Sequence, residues 1–115
     1  MSTAARRVET VAKPVTIAEF DAFVDTQNHD TKYELIDGVI VMMTNPTGTH
    51  EQIAANIAAP LKLAMDARGC NTYIGGMRVQ RSENVDDTDK TIPDIVVHCS
   101  PVSSLTYITD PIVVV

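Results

Sequence analysis

Two carboxylates in this sequence fall where an acid needs a partner. The stretch from Lys32 to Met43 reads as two β-prone segments joined by Asp37-Gly38, a dipeptide that tolerates the positive φ values of a type I′ turn. A two-residue loop pairs Ile36 with Val39 and Glu34 with Val41, which sets Glu34 on one face with Ile36, Val39 and Val41. A carboxylate among apolar neighbours must find a cation, a metal or a hydrogen-bond donor, or its pKa rises until it goes neutral. Asp94 follows Pro93 at the head of a β-branched run, Thr91 to His98, in which Asp94, Val96 and His98 share a face. Phosphodiester hydrolysis uses a divalent cation to activate water and offset developing charge, and hard cations such as magnesium prefer carboxylate oxygens. Glu34 and Asp94 are the candidates for such a site. The ordinary alternatives are that Glu34 pairs with Lys32 or an arginine across the sheet, and that Asp94 takes backbone amides at a strand end.

The elements that must position these acids follow from periodicity. Thr16 and Glu19 form a capping-box signature, and Ile17, Phe20, Phe23 and Val24 fall on one face, predicting a helix from Ile17 to about Thr26. Thr49 and Gln52 suit a second capping box, and Ile53, Ile57, Leu61 and Met65 recur every four residues in a helix that Gly69 ends. Pro60 inside it removes one helix hydrogen bond and predicts a bend between Asn56 and Leu61. Tyr73-Ile74 and Met77 to Gln80 read as strand segments interrupted by Gly75-Gly76. Cys99 to Asp110 reads as a connection with a turn or short helix, and Pro111 to Val115 as a further apolar strand. Residues 1–13 lack an apolar period and are expected to be a loose tail, with one domain over 14–115.

Composition bounds the class. At 115 residues and 44% apolar content the chain can build one core between helices and sheet. No run approaches the roughly 18 apolar residues of a membrane-spanning helix, and the N-terminus lacks a signal-peptide core, so a cytoplasmic location without membrane association is expected. Cys70 and Cys99 have neither CxxC nor Cys/His spacing and are read as small buried thiols. The formal charge of -6 argues against a nucleic-acid partner unless cations such as Arg68, Arg78 and Arg81 gather in one patch. The Asp86-Asp87-Thr88-Asp89 run lacks the Gly and terminal Glu of a calcium loop and reads as a solvated turn. His29 reads as a solvated loop residue, and His98 and Tyr107 as structural ones.

Taken in order, the helix start at Thr16 to Phe20, the Tyr33-Glu-Leu-Ile-Asp-Gly38 hairpin, His50 opening a long helix that closes at Arg68-Gly-Cys70, Pro93-Asp94-Ile-Val-Val97 and Asp110-Pro-Ile-Val-Val-Val115 carry a resemblance. From Thr16 to Val115 the chain resembles the Uma-two-like group of endonucleases within the restriction-endonuclease-like superfamily. The resemblance implies an α/β (α+β) fold, a restriction-endonuclease-like mixed β-sheet flanked by helices. It implies a DNA endonuclease using Mg2+ or Mn2+, with Asp94 and Glu34 as metal-site acids and His50 as a neighbour of that site. A charged His50 would be disfavoured at a helix N-terminus, which suits a neutral imidazole. The family's last strand continues into a Glu-Val-x-Ser-type segment and a helix with polar and basic residues, so a further acid and a lysine-like group are expected after Val115. The alternative expectation is a non-catalytic, degenerate or truncated member acting as a binding or oligomerising module, such as a homodimer joined along the exposed edge at Pro111 to Val115.

Overall fold

The computed structural model describes residues 13–100 and 106–115. The tail expected over 1–13 lies almost wholly outside them. Helix α1 (Ile17–Asp25) begins as its capping box dictates: the Thr16 hydroxyl accepts from the Glu19 amide, and the Glu19 carboxylate accepts from the Thr16 amide at 3.0 Å. Those bonds hold the Glu19 carboxyl below its ordinary pKa. Strands β1 (Tyr33–Ile36) and β2 (Val39–Met42) then form the expected hairpin in the expected register, Ile36 with Val39 and Glu34 with Val41. Asp37 and Gly38 take φ of 48° and 77°, both positive as a type I′ turn demands.

Helix α2 (Gly48–Asp66) is capped by Thr47, whose hydroxyl accepts from the His50 amide at 3.2 Å. The expected cap, Thr49, instead lies inside the first turn. Thr47 wins because its extended backbone, φ -82° and ψ 164°, is the one that turns a hydroxyl back onto an amide three residues on. Pro60 is within the helix, so the Asn56 carbonyl lacks its usual helical donor. Strand β3 (Asn71–Ile74) follows, then β4 (Arg78–Val79), β5 (Ile95–His98), β6 (Tyr107–Ile108) and β7 (Val113–Val114). Of the stretch Cys99 to Asp110, read as a connection with a turn or short helix, residues 101–105 lie outside the described ones, and the stretch also holds β6, which pairs in parallel with β4, Arg78 with Tyr107 and Val79 with Ile108.

The sheets are small and join through one chain segment. Lys90 bridges Leu35 of β1, and the adjacent Thr91 bridges Val79 of β4. Successive residues of a strand direct their hydrogen bonds to opposite sides, so Lys90-Thr91 acts as a central strand with β2 and β1 on one flank and β4 and β6 on the other. Past Pro93 the same segment becomes β5, with β3 and β7 antiparallel on its two sides. The mixed α+β class expected from the sequence is observed. Two clusters form the core. Ile17, Phe20 and Leu35 pack with Val15, Val24, Tyr33 and Ile40 between α1 and the hairpin, and Met65, Cys70 and Val97 pack with Leu61 and Val113 between α2 and the β5 sheet. Full burial of Phe20 or Leu35 contributes about 1.5–3 kcal/mol each.

One expectation about the cysteines fails outright. Cys70 and Cys99 form a disulfide. Spacing in sequence gave no hint of it, but register does: Asn71 pairs with His98, so the residues just outside that pair face one another across the ladder.

Candidate functional site

Asp94 occupies the junction between the two sheet systems. Its amide donates to the Val115 carbonyl at 2.9 Å and its carbonyl accepts from the Gly75 amide at 2.9 Å, so neighbours on both sides fix its backbone. The side chain remains about half exposed, and His50 Nε2 stands 3.2 Å from Oδ1. The imidazole approaches that oxygen without hydrogen-bond alignment, and neither Asp94 carboxylate oxygen takes a hydrogen bond among the described residues. His50 reaches Asp94 because Thr47 fixes the start of α2 and the packing of Leu61 and Met65 against β5 fixes its other end.

Glu34 is held differently. Its Oε2 accepts from the Ile92 amide at 2.7 Å, so the acid is tied to the chain two residues before Asp94. That bond is the donor which a carboxylate on this face was expected to require. It leaves Oε1 without a partner among the described residues. The expected face of Glu34, Ile36, Val39 and Val41 is real as a register but is not a packed one: Ile36, Val39 and Val41 are exposed, while Leu35 on the opposite face is buried beneath α1. Burial follows the face that meets α1, and the hairpin alone does not reveal which face that is.

The structure therefore brings His50 against Asp94, and ties Glu34 to the segment that leads into Asp94. Among the described residues, no three His, Cys, Asp or Glu side chains gather as a ready-made metal cage. Asp94 and Glu34 each keep a carboxylate oxygen free of hydrogen bonds among the described residues, and such oxygens suit a magnesium-like ion, which keeps several waters and takes one or two carboxylates from the protein.

Of the three arginines anticipated as a patch, Arg78 and Arg81 are engaged within the fold. Arg81 donates to Asp87 at 2.8 Å and to Asp89 at 2.6 Å, closing the acidic run on itself. This raises the Arg81 pKa, chiefly through the hydrogen bond to Asp87, and the Thr88 amide followed by Arg81 holds the Asp87 carboxyl low. Arg78 donates to the Tyr33 carbonyl at 2.9 Å and lies 5.3 Å from the Phe20 ring centroid; burial lowers its pKa, against the attraction of Asp21 and Glu34. These two arginines serve the fold because the acidic loop and the α1 core present closer partners than any ligand surface. Lys90, nearly buried, donates to Asp21 at 3.0 Å. It shares a cross-strand pair with Leu35, and so projects to the α1 side, away from Glu34.

Lys32 was the obvious partner for Glu34 in sequence, and the structure does not pair them. Its Nζ instead donates to the Gly75 carbonyl at 2.7 Å. The sequence signal for Lys32 as a site neighbour was its parity with Glu34, two residues on along the strand. Elsewhere, a concavity of about 250 Å³ is lined by Glu83, His98, Tyr107 and Asp110 among others, and holds none of the three candidate residues. There His98 Nε2 lies 2.8 Å from Asp110, and the Tyr107 hydroxyl donates to Glu83, which raises the Tyr107 pKa.

No helix of the described residues is long and apolar enough to cross a membrane. No curated protein and no solved structure matches the chain. A family model whose description reads "putative restriction endonuclease" matches residues 17–115, and the chain accordingly belongs to the Uma2 family.

Proposed function

We propose that the chain hydrolyses phosphodiester bonds of DNA with Mg2+ or Mn2+ held by Asp94 and Glu34. Family membership supports a nuclease at the coarse level. The observation that carries the finer reading is the half-exposed Asp94 carboxylate, with His50 Nε2 3.2 Å from one oxygen, on the same chain segment whose Ile92 amide holds Glu34. In this reading a bound divalent cation supplies activated water and offsets the charge that develops on the phosphate. Asp94 and Glu34 offer their uncommitted oxygens as ligands. His50 orients the Asp94 carboxylate, as outer-sphere partners orient metal-binding groups elsewhere. The Ile92 amide does the same for Glu34.

The test is nicking of supercoiled plasmid by the full chain with Mg2+ or Mn2+ supplied. The expected result is cleavage that the chelator and Asp94→Ala each reduce to background. Cleavage by Asp94→Ala at the unsubstituted rate would overturn the assignment.

A second reading, a non-catalytic module that binds or assembles, is favoured by one observation. Ile36, Val39, Val41, Ile53, Ile57 and Val114 are all exposed, although the sequence pattern placed several of them in a core. Chelator-sensitive cleavage that depends on Asp94 decides against this reading as a full account.

A further inference from the structure

Four of the described cations are engaged within the fold, whereas Lys32, on the chain that leads into the strand of Glu34, is not paired with a carboxylate. Lys62 pairs with Asp66 at 3.0 Å, Arg81 with Asp87 and Asp89, and Lys90 with Asp21. Arg78 is half-buried against the Tyr33 carbonyl and the Phe20 ring. Lys32 differs from all of these: it is exposed, its ammonium rests on a neutral carbonyl, and among the described residues no carboxylate lies within salt-bridge distance of it.

Its place is set by two independent features. The Met43 amide donates to the Lys32 carbonyl at 2.9 Å, which extends the hairpin ladder by one pair beyond Tyr33 and Met42. Alternation along the strand then sets Lys32 on the same face as Glu34. Gly75 makes the second link: its carbonyl takes the Lys32 ammonium, and its amide donates to the Asp94 carbonyl. Gly75 has φ +77° and open space around its Cα, so the turn brings bare backbone to this point with no side chain between. From one strand face, Lys32 thus reaches the Gly75 turn that bonds the Asp94 carbonyl, and Glu34 reaches Ile92, two residues before Asp94.

We propose that Lys32 is a phosphate-binding residue of the candidate site, its ammonium meeting a DNA backbone phosphate beside Asp94 and Glu34. The inference rests on the nuclease reading above. A chain of net charge -6 needs an accessible positive charge to bring a polyanion to two carboxylates, and an exposed lysine anchored through one neutral hydrogen bond supplies it at little desolvation cost.

The test is binding of a fluorescein-labelled duplex oligonucleotide to the full chain by anisotropy over a salt series, with chelator present so that no strand is cut. Lys32→Gln keeps a donor for the Gly75 carbonyl but removes the charge. It is expected to weaken binding equally across unrelated sequences and to lower the slope of log K against log salt by about 0.9. Lys32→Arg restores the slope, and Lys62→Gln, which removes a cation already paired with Asp66, leaves it unchanged. An unchanged slope in Lys32→Gln, or an equal loss in Lys62→Gln, overturns the inference, as does an unsubstituted chain that shows no binding at low salt. The nicking assay on Asp94→Ala decides the nuclease reading separately.

Discussion

At the scale of single residues, Glu34 serves two ends that can be separated. Its carboxylate satisfies the Ile92 amide, and removing the acceptor leaves that N–H without its bond, at about 1–3 kcal/mol where the group is buried. A ligand role needs the charge as well as the oxygen. Glu34→Gln keeps an acceptor for the amide and discards the charge, so it is expected to unfold in urea within about 1 kcal/mol of the unsubstituted chain, whereas Glu34→Ala loses up to about 3 kcal/mol. Both are expected to lose metal-dependent nicking. A Glu34→Gln protein that nicks plasmid at the full rate would mean that Glu34 is structural only. Sequence alone reached the need for a partner, since an acid sharing a face with Ile36, Val39 and Val41 must be compensated. It could not name that partner, because the donor is a backbone amide 58 residues away, and amides carry no residue-type signal.

At the scale of elements, the hairpin turn is pinned more tightly than its sequence suggests. Gly38 has φ +77°, its carbonyl accepts from the Val15 amide and its amide donates to the Thr88 carbonyl, both at 2.8 Å. An added Cβ would stand 2.6 Å from Pro14 Cβ and 2.7 Å from Pro14 Cα, so the chain entering α1 would have to move. Gly38→Ala is therefore expected to cost about 2–4 kcal/mol, from the left-handed conformation and from overpacking together. Equilibrium denaturation measures this, and a loss under about 0.5 kcal/mol would show that Pro14 yields freely. The hairpin, α1 and β5 were legible because their signals are local: a cap, an Asp-Gly turn, a β-branched run. Strand β6 was not, since two residues paired in parallel with β4 leave no periodicity to read. Nor was the outer half of α2. Its four-residue repeat predicts a continuous apolar stripe, and the structure buries Met65 and packs Leu61 but leaves Ile53 and Ile57 exposed, because the apolar cluster against β5 takes in Leu61 and Met65 only.

At the scale of the whole molecule, the two elements that carry His50 and Asp94 are joined at both ends. Helix α2 and strand β5 begin with these two residues near each other, and they end near Cys70 and Cys99, which are bonded. The exposed His50–Asp94 contact at the first end contributes little by itself, whereas the covalent link constrains the unfolded chain over a separation of 29 residues. In the chain-entropy account, a loop of that length stabilises the fold by about 3–4 kcal/mol. Oxidised protein is therefore expected to melt on the order of 10 °C above the same protein in excess dithiothreitol, followed by circular dichroism. Cys70→Ser and Cys99→Ser should each melt near the reduced value and be insensitive to the reductant. That insensitivity separates loss of the link from a general effect of dithiothreitol. Equal melting of oxidised and reduced protein would show that packing of Met65, Cys70 and Val97 holds α2 on β5 unaided, and the position of His50 beside Asp94 would then depend on that cluster alone.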